Sequence, residues 1–429
     1  MVKSEENKAN ILIVFRHMAI PMRSVLWDLL YSFGKYSGHR VFYLNLAIRE
    51  VPAYLTTIPF DLIVFHTMFL NARWQPARFT KLRRKVQILK RIQGVKVALP
   101  QDEFYNPKLL CEFINEFDIR HVFSVLPESE WKNIYRNVDF SKVQFHRVLT
   151  AYLGQDLIKK IVKRKRRYPE RDIDIGYRTL GMADKTHAWY GRHGFLKMSI
   201  ADRIKARASE RGIVCDISNQ PKNVIIGDDW YWFLLRCKYV LGTEGGTSIV
   251  DWDGSLDERT GRFVKVHPEA DFDEIERNCF PGKDGTFKGF AISPRHLEAC
   301  ATETCQVLTE GHYNDILVPG KHYIELKKDF SNLDEVLDMI VRDDRRQEIT
   351  QRAFQDIVSS GNYTYERFTK FVVETALPNL QGSHGILQNR IWIGLVFNYM
   401  KLLDHINWGV LFVLYQGGRL LRKMFTGAG

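Results

Sequence analysis

Disulfide chemistry is the first thing this sequence lacks. Its six cysteines, Cys111, Cys215, Cys237, Cys279, Cys300 and Cys305, are scattered over 429 residues with no Cys-x-x-Cys pair and no histidine at zinc-finger spacing. Neither a disulfide framework nor a structural zinc site is expected, and a reduced, cytosolic setting is the simpler expectation. The N-terminal stretch carries acidic residues and offers only a five-residue apolar run, Ile11 to Phe15, before Arg16. That is too short for the core of a secretory signal, so secretion is not expected. Solenoid-period repeats, low-complexity tracts, Gly-x-Gly-x-x-Gly and Gly-x-x-x-x-Gly-Lys-Ser/Thr are all missing. A dinucleotide oxidoreductase and a P-loop ATPase are thereby disfavoured.

What is present is a foldable α/β pattern. The chain is 45% hydrophobic, 13% aromatic and 26% charged, which fits neither disorder nor a polytopic membrane protein, and its length suggests two or three domains. Short apolar runs at Ile11–Phe15, Val41–Leu44, Asp61–Phe65, Val95–Leu99 and His121–Val125 read as buried parallel strands. Helical spacing at Ser24–Phe33, Arg78–Ile92 and Pro107–Glu116 falls between several of them. A second series follows: strands at Ile173–Tyr177, Ile213–Ile217, Tyr239–Leu241, Phe263–Val266 and Gln306–Leu308, with helices at Ile200–Arg211, Trp230–Arg236, Pro294–Ala301 and Leu333–Arg342. The predicted fold is α/β, with two Rossmann-like doubly wound domains facing a cleft and a helical C-terminal extension. The expected parts are residues 1–168, 169–355, crossover helices 356–380 and an apolar, basic tail 381–429.

Charge is unbalanced, with 62 Lys+Arg against 50 Asp+Glu and a net +12. The densest basic run, Lys159 to Arg167, ends near Pro169 and reads as the end of a helix and a linker. A run of this kind suits nucleic acid, anionic lipid or simply a solvated helix face. A basic nucleic-acid-binding protein is therefore one rival reading. Against it, the aromatics do not alternate with basic residues, and the cations are dispersed through both α/β units.

The most informative stretch is Ala291-Ile-Ser-Pro294-Arg295-His296-Leu297-Glu298-Ala-Cys-Ala-Thr302-Glu303-Thr304. Proline at a helix start and a carboxylate one turn in place Glu298 near the positive end of a helix. Together with Gly320-Lys-His-Tyr323 and Lys328-Asp-Phe330, this block resembles the C-terminal signature of group 1 glycosyltransferases of GT-B architecture, particularly the CgeB-like branch. The resemblance implies a nucleotide-sugar transferase in which Glu298 touches the nucleotide ribose. The family's earlier glutamate, eight residues before, is replaced here by Phe290, and the amides of Ile292 to Arg295 are expected to take its place. Glu303 likewise stands where a small glycine is common. A merely capped surface helix is the alternative.

The resemblance extends to Ile173-Asp-Ile-Gly176-Tyr177-Arg178 and Gly194-Phe-Leu-Lys197, where Arg178 and Lys197 would grip the donor diphosphate. Cations belong there because a departing nucleoside diphosphate gathers negative charge. It also extends to Thr243-Glu244-Gly245-Gly246-Thr247-Ser248, a loop implied to face the donor, with Arg295 completing the set. Asp251 and Asp253 could suggest a metal, but neither a metal nor another cofactor is expected. On the first domain, Arg16-His17, His66 and Asp102-Glu103 follow strands and lie where the cleft should be. Asp102, then His66, with Glu103 beside them, are the candidate catalytic groups, each equally suited to a buried structural role. The group 1 likeness favours retention, and Phe290 leaves room for inversion.

From Ile391 to Tyr415 the chain is strongly apolar, but Asn398, Lys401, Asp404 and His405 interrupt it before the ~18 uncharged residues of a spanning helix. With Arg419, Arg422 and Lys423 following, residues 386–425 suit helices lying on an anionic membrane surface; packing on the core or in a dimer is the alternative. The expected partners are a nucleotide sugar, a glycan or lipid-linked acceptor and that membrane surface, without nucleic acid. The expected role is bacterial surface-polysaccharide assembly at the inner face of the plasma membrane. A non-catalytic scaffold of the same fold is a further alternative.

Overall fold

The computed structural model describes residues 8–165, 170–179, 185–378 and 387–426. Arg166, Arg167, Pro169 and the expected boundary at 168/169 lie outside the described residues. The first domain is a six-stranded sheet of β1 (Asn10–Phe15), β2 (Arg40–Asn45), β3 (Leu62–Phe65), β4 (Val95–Ala98), β5 (His121–Ser124) and β6 (Gln144–Arg147). Its strands are all parallel, in the order β2-β1-β3-β4-β5-β6. Every residue of β1 is buried. Leu12 and Val14 join the core on one face, Ile11, Ile13 and Phe15 the core on the other. That double burial is why the strand reads as a continuous apolar run.

The second domain holds β7 (Ile173–Arg178), β8 (Cys215–Ser218), β9 (Cys237–Gly242), the short β10 (Gly245–Thr247) and β11 (Gly289–Ala291), then β12 (Cys305–Thr309) and β13 (Ile324–Leu326). Its main sheet is parallel in the order β13-β12-β9-β7-β8, while β10 and β11 form a separate antiparallel ribbon. Gly246 in this ribbon has φ +101°, and a Cβ there would sit 1.9 Å from the Gly289 carbonyl oxygen. Only glycine fits.

Three expectations change in detail. The apolar run Phe263–Val266 is the end of the helix Ser255–Val266, not a strand; four apolar residues have no period of their own, and the preceding turns decide. The single helix expected over Arg78–Ile92 is a helix Pro76–Lys85 followed by a 3-10 turn Gln87–Arg91. The tail is one 40-residue helix, Leu387–Thr426.

The chain ties the domains together twice. Helix Tyr365–Ala376 returns to the first domain, where Phe368, Val372 and Val373 share a core with Phe33 of helix Ser24–Tyr36, and Tyr365 Oη donates to the Val25 carbonyl at 3.1 Å. The segment between β10 and β11 packs on the first domain too: Asp251 N donates to Phe104 O at 2.9 Å, and Asn106 N to Asp251 O at 2.7 Å. Around that junction Trp74 stacks on Tyr105 at 4.1 Å and Trp189 on Tyr190 at 4.4 Å. The carboxyl ends of β4, β7 and β9 therefore face one crevice, where open parallel sheets bind ligands.

Candidate active site

Two adjoining cavities, of about 170 and 260 Å³, open over the carboxyl ends of β7 and β9. Both are lined by Arg23, Arg178, Trp230 and Arg295; Glu298 closes the first, and Lys197 and Glu244 the second. A third, of about 360 Å³, continues between the domains, with Asp102 and Thr150 on one wall and Gly245 and Gly246 on the other. Arg23 borders all three. It stands exposed at the end of the loop after β1, immediately before helix Ser24–Tyr36.

Glu298 is held one turn into helix Pro294–Ala301, which Ser293 and His296 cap reciprocally: Ser293 N donates to His296 Nδ1 at 3.0 Å. Trp230 Nε1 donates to Glu298 Oε2 at 2.7 Å and Tyr231 Oη to Oε1 at 3.3 Å. Burial raises the Glu298 carboxyl pKa, while Trp230, Arg295 and Tyr231 pull it back. A carboxylate has about four acceptor positions, so capacity remains for a diol.

Arg178 lies over the Phe233 ring at 4.4 Å and donates to Asp216 Oδ1 at 2.6 Å. Its Nε has no partner among the described residues. Arg295 donates to the Arg178 carbonyl and lies over Trp230 at 4.9 Å. Lys197 is seated by helix Arg192–Ser209, whose carbonyl at 197 accepts from Tyr177 Oη of β7 at 3.1 Å. Burial, opposed by Asp102 and helped by Arg295, brings the Lys197 ammonium pKa down to about 8. An ammonium poised this way gains most when an anion arrives.

Across the cleft, Asp102 adopts φ +50°, a left-handed conformation that aspartate tolerates. Arg73, fully buried below, fixes that loop by donating to the carbonyls of Gln101, Asp102 and Tyr105. Asp102 is open to the cleft yet ringed by protein. The lost solvation raises its carboxyl pKa, while Arg73, Lys197 and Arg23 hold it down.

The structure does not bring every expected residue here. His66 is fully buried, caps helix Thr67–Leu70 by accepting from Met68 N at 3.2 Å, and is held neutral by burial, with a pKa of about 3. It lines none of these cavities. Glu103 borders the third cavity, but its oxygens accept from Ser124 Oγ at 2.5 Å, Tyr135 Oη at 2.6 Å and Val125 N at 3.3 Å. It is a core hydrogen-bonding group, pushed by burial to a pKa of about 7. Thr247 donates to Ile249 O at 2.6 Å and Ser248 to Asp284 Oδ1 at 2.5 Å, both turned out of the cavities.

The amides expected to replace the missing glutamate are also engaged. Ile292 N donates to Asn314 Oδ1 at 2.7 Å, Ser293 N to His296, Arg295 N to Ser293 Oγ at 3.4 Å, and Pro294 has none. Phe290 packs its ring against His193 at 4.4 Å. Arg16 and His17 line none of the three cavities. Asp251 accepts from the amides of Gly254, Leu256 and Asp257, so it caps a helix. Among the described residues no group of three or more His, Cys, Asp or Glu could hold a metal ion.

Sequence reading missed Arg23, Trp230 and His296, all of which line these cavities. Arg23 follows a strand by eight residues of loop, and no spacing rule marks it. His296 was visible as a Ser-x-x-His cap, a variant of the capping box.

Two doubly wound domains across a cleft, with a helix returning from the second to the first, make the GT-B architecture. No family model matches the sequence, and no curated protein matches it either. In chain path it is similar to several solved structures. A glycosyltransferase from Rickettsia africae ESF-5 is 11% identical over 87% of this chain and 100% of that one, with a TM-score of 0.44. Anabaena Alr3699/HepE in complex with UDP-glucose is 10% identical over 85% and 98%, with a TM-score of 0.47. AviGT4, a glycosyltransferase involved in avilamycin A biosynthesis, is 10% identical over 87% and 99%, with a TM-score of 0.43. Similarity at this level assigns no residue and no substrate.

Proposed function

We propose that this protein is a nucleotide-sugar-dependent glycosyltransferase acting on a glycan or lipid-linked acceptor, with retention of configuration, in bacterial surface-polysaccharide assembly. One observation carries the reading: Arg178, Lys197 and Arg295 gather three cations on two joined cavities that end at the Glu298 carboxylate. A nucleoside diphosphate has the same order of groups. The ribose diol donates to Glu298, and the diphosphate lies along the cations. As the sugar–phosphate bond breaks, the leaving diphosphate gains negative charge, and preorganised Lys197 and Arg295 stabilise it more than they stabilise the intact donor. Asp102 faces the sugar end. In retention it orients and polarises the acceptor hydroxyl; in inversion it would take the proton. The reading also places the enzyme on the cytoplasmic face of the membrane, held there by its C-terminal helix.

Calorimetric titration with UDP, GDP, ADP, CMP and dTDP sugars tests the assignment, followed by donor hydrolysis and transfer assays on the wild type and Glu298→Gln. Saturable binding of one diphosphate donor, weakened in the variant, is expected. Absence of binding to every donor, with steeply salt-dependent binding of duplex DNA instead, would overturn it in favour of a nucleic-acid-binding protein. Binding without turnover would leave a scaffold.

A further inference from the structure

Helix Leu387–Thr426 has two apolar faces, and the domains cover only one of them. On the covered face Ile393, Val396 and Met400 are buried in the core of the first domain. Asp404 follows, accepting from Tyr31 Oη at 2.7 Å, and Trp408 Nε1 donates to the same hydroxyl at 2.5 Å. These anchors recur every three to four residues, so they fix the rotation of the helix as well as its position. On the opposite face Ile391, Leu395, Tyr399, Leu402, Ile406, Val410 and Val413 recur at the same spacing, and each is between 49% and 68% exposed. At 1.5 Å per residue this stripe is about 33 Å long. About half of the large apolar side chains that stand exposed among the described residues belong to this one helix. A contiguous apolar surface of that extent marks a binding face.

Charge chooses the occupant. The basic helix Gln155–Lys165 lies beside the long helix, where Leu157 and Lys160 share the walls of a cavity of about 550 Å³ with Trp408 and Phe412. Lys159 and Lys163 of that helix are exposed, as is Lys401 on the long helix itself. Arg419, Arg422 and Lys423 continue the positive charge in sequence, their side chains lying outside the described residues. A second copy of the chain, itself at +12, would oppose these cations with its own. An anionic lipid surface takes up the stripe and attracts the cations together. No helix among the described residues is long and apolar enough to cross a membrane.

We propose that the outer stripe of helix Leu387–Thr426 lies in the interface of an anionic membrane leaflet, its inner face remaining packed on the first domain. This deepens the membrane attachment in the functional reading by naming the face that binds. The 550 Å³ cavity behind the helix adjoins the cavity over Glu298 through Ser24 and Gly227, so that flank of the cleft is carried close to the lipid.

Co-sedimentation of the full chain with phosphatidylglycerol-containing vesicles, compared with pure phosphatidylcholine vesicles, tests the proposal. Selective binding to the anionic vesicles is expected, falling roughly tenfold or more in Leu402→Glu/Ile406→Glu and several-fold in Lys159→Glu/Lys163→Glu. Both pairs are exposed, and unchanged melting temperatures are expected. Quenching of wild-type tryptophan fluorescence by brominated lipid, through Trp392 beside the stripe, is a second readout that needs no variant. Equal binding of wild type and Leu402→Glu/Ile406→Glu would overturn the proposal. So would absence of both sedimentation and quenching, or a wild-type dimer that the same variant converts to monomers without any vesicle binding. Binding is read without donor, so it fails or stands separately from sugar transfer.

Discussion

On the second domain's wall of the cleft, Arg178, Lys197 and Arg295 crowd three cations around two small cavities, and the carboxylate among them, Glu298, is steadied by Trp230 and Tyr231. On the first domain's wall, Asp102 stands in a left-handed turn above the buried Arg73, beside a Glu103 whose oxygens are already satisfied. The first arrangement suits an anion that is already charged and becomes more so. The second suits a neutral hydroxyl that must be aimed. Two similar folds thus present opposite electrostatic characters, and each wall keeps capacity that the described residues do not fill: the Lys197 ammonium and Arg178 Nε on one, the Asp102 carboxylate on the other.

Removing the charge on the donor wall should have the largest effect. Lys197→Met is expected to lower kcat/KM by a factor on the order of 10²–10³, about 3–4 kcal/mol of transition-state stabilisation, with little change in melting temperature. Equal rates in steady-state assays would mean that the ammonium does not face the diphosphate. Asp102→Asn should cost about 10² in kcat while calorimetry shows unchanged donor affinity, because the proposed reading has it act on the acceptor. If donor affinity falls instead, the two walls do not divide the work.

A milder lever is pH. The folded Lys197 titrates near 8, below its ordinary 10.5, so it is cationic below about pH 8 and neutral above. Donor affinity should fall as pH rises past about 8, by at most tenfold per unit, and donor binding there should take up a proton. Calorimetry in buffers of different ionisation enthalpy measures that uptake. In the free protein the same shift adds stability as pH rises from about 8 to 10.5, because the unfolded chain holds the proton longer.

The smallest effect concerns Glu103, raised to about 7 from an ordinary 4.5. Its contribution to stability is complete below about 4.5 and is lost as pH rises through 7. The melting temperature of Glu103→Gln relative to wild type should therefore rise between pH 5 and 8, with transferase activity retained. Lost activity at unchanged stability would return Glu103 to the reacting groups.

Much of the fold was legible because buried parallel strands are apolar on both faces. Ile11–Phe15, Asp61–Phe65, Val95–Leu99 and His121–Val125 all overlap observed strands. β6, Gln-Phe-His-Arg at the sheet edge, has no such run and was missed. β10 and β11 were missed because a three-residue glycine ribbon carries no period. In the site, the Pro-Arg-x-x-Glu block and the cations at 178 and 197 were singled out through the family resemblance, and the fold brings them to the same pair of cavities. Thr247 and Ser248 looked equally suitable in sequence, and only the course of the ribbon turns their hydroxyls to Ile249 and Asp284.

By itself the sequence determined local matters: which runs become strands, that Ser293-Pro294 starts a helix with Glu298 one turn in, and that residues 391–415 form an apolar helix too interrupted to span a bilayer. Each depends on periodicity, caps or composition, which act over a few residues. Tertiary structure alone decided which polar groups remain available. Glu103 and the amides of Ile292 and Ser293 are consumed by partners distant in sequence or folded back on them, whereas Asp102 and Lys197, 95 positions apart, are left facing each other across the crevice. Hydrogen bonding saturates a group through whatever neighbour folding supplies, and no short-range pattern records that neighbour.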